Sequence, residues 1–275
     1  MPNSADESAI STELAVLRQR IDDIVAGQQR STAWYRNPSF ITSCAAIFIS
    51  VTTTVVSWYR TYQQEIASLR GQLASTLHQT AGIHLQNVEL MAKYRNDQPS
   101  MLRLSTTLNA QNLLLAKQAY SLARELGSAA SAASLTTVAN SLMQSNEVTL
   151  AEDLLQKAIA RAENSVEYIA ALRVLGALQY YNGNLKVAAD TFDKAVKAFT
   201  TYPNEAKSAD YVNFTHAFTY MHWTQSARQS DCPTAKAKIE LAEQHWQKLT
   251  EPAKTQMAPM GAELFQMKEF LKGCS

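Results

Sequence analysis

Hydrophobic and polar positions follow a heptad pattern near the start of this 275-residue chain. Within residues 1–36, apolar side chains recur at alternating spacings of four and three; they are Ile10, Leu14, Leu17, Ile21 and Ile24. This spacing places the apolar side chains on one side of a helix, where they face a partner helix in a coiled coil. Because the pattern is short, a single amphipathic helix lying on a membrane or on another protein is an equal alternative.

The next segment, residues 37–59, contains no charged side chain. Its length is close to the roughly 20 residues that a helix needs to cross a bilayer. The segment ends with Trp58 and Tyr59, and Arg60 follows it, as is typical of a membrane–water interface. A signal peptide is disfavoured, because the preceding segment is long and no small-residue cleavage site follows. We predict a transmembrane helix; a buried core helix is the alternative, since eight Ser or Thr make the segment only moderately apolar.

The arginines on the two sides of this segment predict its orientation. Arg18, Arg20, Arg30 and Arg36 precede the segment, whereas Arg60 and Arg70 follow it within a similar distance. Positive charge favours the cytoplasmic side, so we expect a cytoplasmic N-terminus. The C-terminal part is then extracytoplasmic, or periplasmic in a bacterium. The reversed orientation, with the C-terminal part in the cytoplasm, is an alternative.

Small side chains repeat along one stripe of the predicted transmembrane helix. They are Ser39, Ser43, Ala46, Ser50, Thr53 and Ser57. Such a stripe allows two helices to approach closely, which would make the chain a homo-oligomer. Alternatively, the hydroxyl groups bond to carbonyl groups one turn earlier in their own helix.

Beyond the transmembrane segment, the sequence favours helices throughout. The chain has only eight Gly and seven Pro, and no alternating run of β-branched residues bounded by turn signals lies outside the apolar stretch. We therefore predict an all-α protein. Its parts are a cytoplasmic arm (1–36), a transmembrane helix (37–59), a helical stalk (60–99) and a helical repeat domain (100–275).

A short signature recurs in the repeat domain, in which two alanines flank a bulky residue. The copies are Ala116–Tyr120–Ala123, Ala151–Leu155–Ala158, Ala188–Phe192–Ala195 and Ala235–Ile239–Ala242, at steps of 35, 37 and 47 residues. The alanines allow the second helix of a hairpin to pack close to the first, and the bulky residue fills the space between hairpins. Gly176, twelve residues before Ala188, also indicates a close approach.

These motifs resemble the tetratricopeptide repeat, a helical hairpin of about 34 residues. The segment 168–199 is the best match, and 134–162 is the next. The resemblance implies an α-solenoid of antiparallel hairpins, whose first helices line a groove for a peptide or protein partner. It also implies that Asn140, Arg173, Ala177 and Tyr180 face this groove. Another array of hairpins with alanine-rich contacts would give the same pattern.

An aromatic run lies on the next predicted first helix. It comprises Tyr211, Phe214, Phe218 and Trp223. These side chains either extend the groove or pack in the core.

Two cysteines flank the last predicted hairpin. Cys232 precedes a helix at 233–249 and Cys274 follows a helix at 258–272, so the two thiols lie at the same end of an antiparallel pair. We predict a disulfide, which agrees with an extracytoplasmic domain. Two unrelated thiols are the alternative. Cys44, within the transmembrane segment, is predicted to be a small apolar residue.

The sequence contains no pattern typical of an enzyme. The histidines, at positions 78, 84, 216, 222 and 245, lack the i, i+4 spacing that places two metal ligands on one helical face. No phosphate-binding glycine loop or nucleophile elbow occurs. We therefore predict no catalytic residue, metal or cofactor, and a net charge of +1 gives no reason to expect nucleic acid as a partner. The predicted function is a membrane-anchored scaffold or adaptor that binds a protein or peptide; a membrane-tethered coiled-coil oligomer is the alternative.

Overall fold

The computed structural model describes residues 18–23, 38–94 and 97–274. Within this part of the chain the secondary structure is helical and contains no strand, which confirms the all-α class there. Residues 18–23 are helical and exposed. The rest of the predicted heptad segment, including Ile10, Leu14, Leu17 and Ile24, lies outside the described residues.

The first compact unit comprises Met1–Glu65, and the second comprises Ile66–Ser275. Helix α1, Pro38–Lys93, begins in the first unit and ends in the second. By length and composition, α1 is a candidate to cross a membrane, and its apolar stretch is not buried within the protein. In the stripe of small residues, the hydroxyl groups of Ser43 and Thr53 donate to the carbonyl oxygens of Ser39 and Ile49 at 2.8 Å.

The second unit consists of the C-terminal part of α1 and a series of further helices. They are α2 (Gln98–Leu126), α3 (Ala132–Gln144), α4 (Val148–Arg161), α5 (Ser165–Tyr181), α6 (Leu185–Val196), α7 (Ala198–Thr201), α8 (Ala209–Ala227), α9 (Cys232–Gln247), α10 (Glu251–Gln256) and α11 (Ala258–Leu271). Short 3₁₀ turns lie at Gly127–Ala129 and Pro203–Glu205.

Polar side chains begin the helices of this unit. Ser131, Asn164, Ser208 and Asp231 each accept a hydrogen bond from the backbone N–H three residues later. Each bond satisfies an N–H group that the first turn of a helix leaves without a partner. The caps therefore fix where α3, α5, α8 and α9 start.

Consecutive helices pack in pairs. Helix α3 packs against α4, α5 against α6, and α8 against α9, and a short connection joins the two members of each pair. The first helices also contact one another, α3 with α5 and α5 with α8. Helices α3, α5 and α8 therefore lie side by side.

The repeated signature residues form the contacts within and between these pairs. All eight alanines of the four copies are at most 2% exposed. Leu155 and Phe192 are fully buried, and Ile239 is 3% exposed, whereas Tyr120 is half-buried. The predicted packing role of the alanines is confirmed, and the core follows the repeat.

Gly176 lies where α5 approaches α6 most tightly. A methyl group at this position would be 2.6 Å from Cε2 of Phe192. Side-chain carbons do not approach so closely, so the ring occupies the space that glycine leaves free. The close approach predicted from the sequence is confirmed.

The C-terminal half of α1 packs as part of the second unit. Ile66, Leu69 and Leu73 are buried in a cluster that also includes side chains of α2, α3, α4 and α5. The sequence predicts a transmembrane helix at 37–59 and a helical stalk at 60–99, in which Gly71 and Gly82 weaken the helix and residues 84–94 form another helix. In the structure α1 continues through both glycines. Burial of its apolar face from Ile66 onward compensates for their low helix propensity.

The chain ends in a cross-linked pair of helices. Helix α9 packs against α11, and α10 lies within the connection between them. A disulfide joins Cys232 at the start of α9 to Cys274 just after α11. Cys44 is free and exposed.

Candidate binding surface

Arg173 on α5 packs its guanidinium group against an aromatic ring of α8. Its Cζ atom lies 4.7 Å from the ring centroid of Phe218, within the range of a cation–π contact. The two residues meet because α5 and α8 are neighbouring first helices. Arg173 is half-buried at this helix–helix boundary.

The guanidinium group has no anionic partner among the described residues. The side chain makes no ion pair or hydrogen bond in this part of the chain. Burial lowers the pKa of Arg173 to about 10, and Tyr211 opposes this effect. Arg173 stays protonated at neutral pH, so its N–H groups are available to an acceptor from outside the chain.

An aromatic row on α8 forms one side of this site. Phe214, Phe218 and His222 are spaced four residues apart and therefore share a helical face. The rings of Phe214 and Phe218 stack at a centroid distance of 5.9 Å. The ring of His222 meets Phe218 edge-on at 4.7 Å. We call Arg173, Phe214, Phe218 and His222 the Arg173 surface.

His222 contributes no charge to this surface at neutral pH. Burial, and then repulsion by the Arg173 guanidinium, lower the pKa of His222 to about 4. The imidazole is therefore neutral, and Arg173 supplies the positive charge of the Arg173 surface.

Two of the other predicted groove residues lie on α5 and on the helix packed beside it. Ala177 is half-buried one turn after Arg173 on α5. Asn140 is half-buried on α3, which packs beside α5. Both side chains keep some access to solvent.

Tyr180 does not face a groove, and this is a correction to the sequence-based assignment. It is 3% exposed and packs against Phe192 with a ring-centroid distance of 6.2 Å. Its hydroxyl oxygen accepts a hydrogen bond from Nε1 of Trp223 at 2.8 Å, which satisfies both buried polar groups. Trp223 is itself 2% exposed, so this member of the aromatic run belongs to the core.

The other histidines of α8 and α9 make internal contacts. The rings of His216 and His245 meet edge-on at 4.9 Å. Nε2 of His216 lies 3.0 Å from the carbonyl oxygen of Val196, and Nδ1 of His245 lies 2.9 Å from Oδ1 of Asn213. Within the part of the chain that the structure describes, no group of three or more His, Cys, Asp or Glu side chains could hold a metal ion.

A polar cavity of about 350 Å³ lies beside the start of α3. Two arginines line it, but both bond to the backbone. Arg70 donates to the carbonyl oxygen of Ala129, and Arg161 donates to those of Gly127 and Ala130. These arginines hold the turn before α3, so the cavity is a weaker candidate than the Arg173 surface.

The sequence contained a signal for the aromatic row that the prediction did not use. The i, i+4 spacing of Phe214, Phe218 and His222 predicts one shared face, but the histidines were considered only as metal ligands. The contact between Arg173 and Phe218 joins residues far apart in the chain, so the sequence alone does not reveal it.

No protein-family model, curated protein or solved structure matches this chain.

Proposed function

We propose that this chain is a membrane-anchored, non-enzymatic adaptor that binds a peptide or protein segment on the Arg173 surface. The observation that carries the proposal is a half-buried guanidinium group without an acceptor among the described residues. A charge held away from water costs free energy unless a partner compensates it. A ligand carboxylate supplies that compensation through paired N–H···O hydrogen bonds.

The aromatic row indicates what accompanies the carboxylate. Phe214 and Phe218 present ring surface beside the guanidinium group, and His222 is neutral. An apolar side chain next to the carboxylate would pack against these rings. The proposed ligand is therefore a segment with a carboxylate, from an acidic side chain or the chain terminus, beside a bulky apolar residue.

The proposed architecture of the domain is a tetratricopeptide-like solenoid of helical hairpins. The pairing of α3 with α4, α5 with α6 and α8 with α9 supports it, as does the burial of the repeated alanines. Neighbouring first helices in such an array form an extended binding face. Asn140 on α3 and Ala177 on α5 would extend the contact of a bound segment beyond Arg173.

The proposed location is a membrane, with α1 as a single transmembrane anchor. The exposed apolar stretch of α1 supports a span, and the arginines before it support a cytoplasmic N-terminus. The Cys232–Cys274 disulfide is of the kind that persists in an oxidising compartment, which favours an extracytoplasmic C-terminal domain.

The binding proposal is tested with the full chain in detergent micelles and a library of short peptides. We expect the selected peptides to carry a carboxylate next to an apolar residue. Replacing that carboxylate by an amide should weaken binding to the wild-type chain roughly 30-fold, because the loss of one partner of a buried charged pair costs at least about 2 kcal/mol.

Two variants separate a direct contact from a general loss of folding. Arg173→Met should bind the acidic and the amidated peptide with similar, weak affinity. Arg124→Met, which changes an exposed arginine on α2, should retain the wild-type preference. The proposal would be contradicted if the selected peptides lacked a carboxylate. It would also be contradicted if Arg173→Met preferred the acidic over the amidated peptide as strongly as the wild type does.

A further inference from the structure

Exposed apolar side chains lie near the end of α1 and near the start of α2. Leu85 and Val88 on α1 are each 68% exposed, and Leu102 on α2 is also 68% exposed. Met91 is 48% exposed. We call residues 82–94 and 97–108 the hairpin tip. Such a concentration of exposed apolar side chains is typical of an interaction surface.

The two helices of the hairpin are antiparallel, because a short connection joins them and both line one cavity, but their backbones are not closely packed against each other. Only a short connection separates the end of α1 at Lys93 from the start of α2 at Gln98. A cavity of about 490 Å³ lies between them, lined by Gly82 and Ile83 of α1 and by Leu114 and Leu115 of α2 among others. A residue of α1 and a residue of α2 that are separated from the connection by similar numbers of residues therefore lie at the same level along the hairpin.

Few charged side chains lie in this hairpin. Lys93 and Asp97 lie next to the connection, Glu89 is the one Lys, Arg, Asp or Glu in residues 71–92, and Arg103 is the one in residues 98–116. Both side chains are exposed, and neither forms an ion pair with another described residue. Glu89 lies four residues before the end of α1, and Arg103 lies five residues after the start of α2, so they occupy nearly the same level.

An acid on α1, Glu89, and a base on α2, Arg103, at the same level make the hairpin tip complementary to itself. In a two-fold symmetric pair, each contact occurs twice with the copies exchanged. When the symmetry axis runs along the hairpin, Glu89 of one copy faces Arg103 of the other, and Arg103 faces Glu89. The same arrangement brings Leu85, Val88 and Leu102 of the two copies together.

We propose that the hairpin tip binds the hairpin tip of a second copy of this chain, forming a two-fold symmetric dimer with reciprocal Glu89–Arg103 pairs. The apolar side chains provide the free energy of association, and the two ion pairs set the register. This inference is independent of the Arg173 surface, which lies on other helices.

Charge reversal in the full chain tests the register. Glu89→Arg places arginine opposite arginine twice in a dimer, and Arg103→Glu places glutamate opposite glutamate twice. We expect each variant alone to raise the dimer dissociation constant about tenfold, since two attractive contacts become repulsive. Sedimentation or light scattering in detergent micelles measures the constant.

Mixing the two single variants provides the decisive measurement. A mixed dimer of a Glu89→Arg chain and an Arg103→Glu chain contains two opposite-charge pairs, so we expect the mixture to associate with near wild-type affinity. The double variant should also associate as the wild type does. Glu125→Arg, which reverses an exposed acid near the other end of α2, should leave the constant unchanged.

Several outcomes would overturn the proposal. They are a monomeric wild-type chain, single variants that dimerise as well as the wild type, and a mixture that associates no better than either single variant. A photo-crosslinking residue at position 85 identifies the molecule that covers the hairpin tip, by the mass of the crosslinked product. A product with the mass of two copies supports the dimer, whereas a product with lipid or with another protein overturns it.

Discussion

Gly176 and Phe192 determine how closely α5 and α6 approach. Replacing Gly176 by alanine would place Cβ 2.6 Å from the Phe192 ring, so the ring or the helices must shift. Overpacking of this kind costs about 1–3 kcal/mol, which the better helix propensity of alanine offsets by about 1 kcal/mol. We expect Gly176→Ala to lower the free energy of unfolding, measured by thermal or urea denaturation.

Gly71 provides a matched control, because it also lies within a helix but a Cβ there would have no atom within 4 Å. Gly71→Ala should leave the stability unchanged or raise it by up to about 1 kcal/mol. Equal effects of the two substitutions would contradict the role assigned to the close approach of α5 and α6.

Three histidines make the stability of the folded chain dependent on pH. Burial lowers the pKa of His216, and it lowers those of His222 and His245 to about 4, from an ordinary value of 6.5. Below pH 6.5 the unfolded chain therefore binds protons that the folded chain does not, and the folded state loses stability as the pH falls towards 4.

Urea denaturation at pH 7 and pH 5 tests this dependence. Glu205 and Asp210 have lowered pKa values, so their protonation reduces the stability of the folded state only at about pH 4.5 and below. We expect lower stability at pH 5, and a smaller difference between the two pH values in His222→Gln. Equal stability at both pH values would contradict the burial of these neutral rings.

Single positions were predictable where packing leaves a clear mark in the sequence. Alanine and glycine at fixed spacing predicted close helix contacts, because only small residues fit there. The exposure of Tyr180 was not predictable. Arg173 is half-buried between α5 and α8, whereas Tyr180 is almost fully buried, because Trp223 of α8 packs against it. That difference depends on a residue 43 positions away in the chain.

Among the helices, the disulfide at the end of the chain constrains α9, α10 and α11 together. It closes a loop with a sequence separation of 42 residues. Restricting the unfolded chain over such a loop contributes about 3–4 kcal/mol in the chain-entropy description. We expect the Cys232→Ser, Cys274→Ser double variant to unfold at lower temperature than the wild type under non-reducing conditions.

A thiol-blocking mass measurement on unreduced protein provides the direct check. We expect one reactive thiol per chain, Cys44, in the denatured but unreduced protein, and two more after reduction. Three reactive thiols without reduction would contradict the bond and remove one support for an extracytoplasmic domain.

The extent of α1 shows how far local pattern predicts an element. The signals for its start, including Pro38 at the first helical position, lie in the sequence. Gly71 and Gly82 weaken the stalk by propensity, yet α1 continues through both, because distant side chains cover Ile66, Leu69 and Leu73. Propensity gives the local cost of a glycine, whereas tertiary burial determines whether the helix continues.

For the whole molecule, the proposed orientation in a membrane would determine which compartment the Arg173 surface meets. We expect a C-terminal epitope tag on the chain to be removed by protease added to intact spheroplasts, because the arginine distribution favours a C-terminus outside. An N-terminal tag on the same chain is the matched control and should be protected until the cells are lysed. Protection of the C-terminal tag would support the reversed orientation.

The electrostatic repulsion between Arg173 and His222 would link binding of the proposed ligand to proton uptake. A bound carboxylate would neutralise the guanidinium group, whose repulsion is the second cause of the lowered pKa of His222. The pKa of His222 then rises in the complex, so a fraction of a proton is taken up and affinity increases as the pH falls from about 6.5 to 5. Calorimetric titration at pH 5.5 in two buffers of unequal ionisation enthalpy should give different heats, and His222→Gln should reduce that difference.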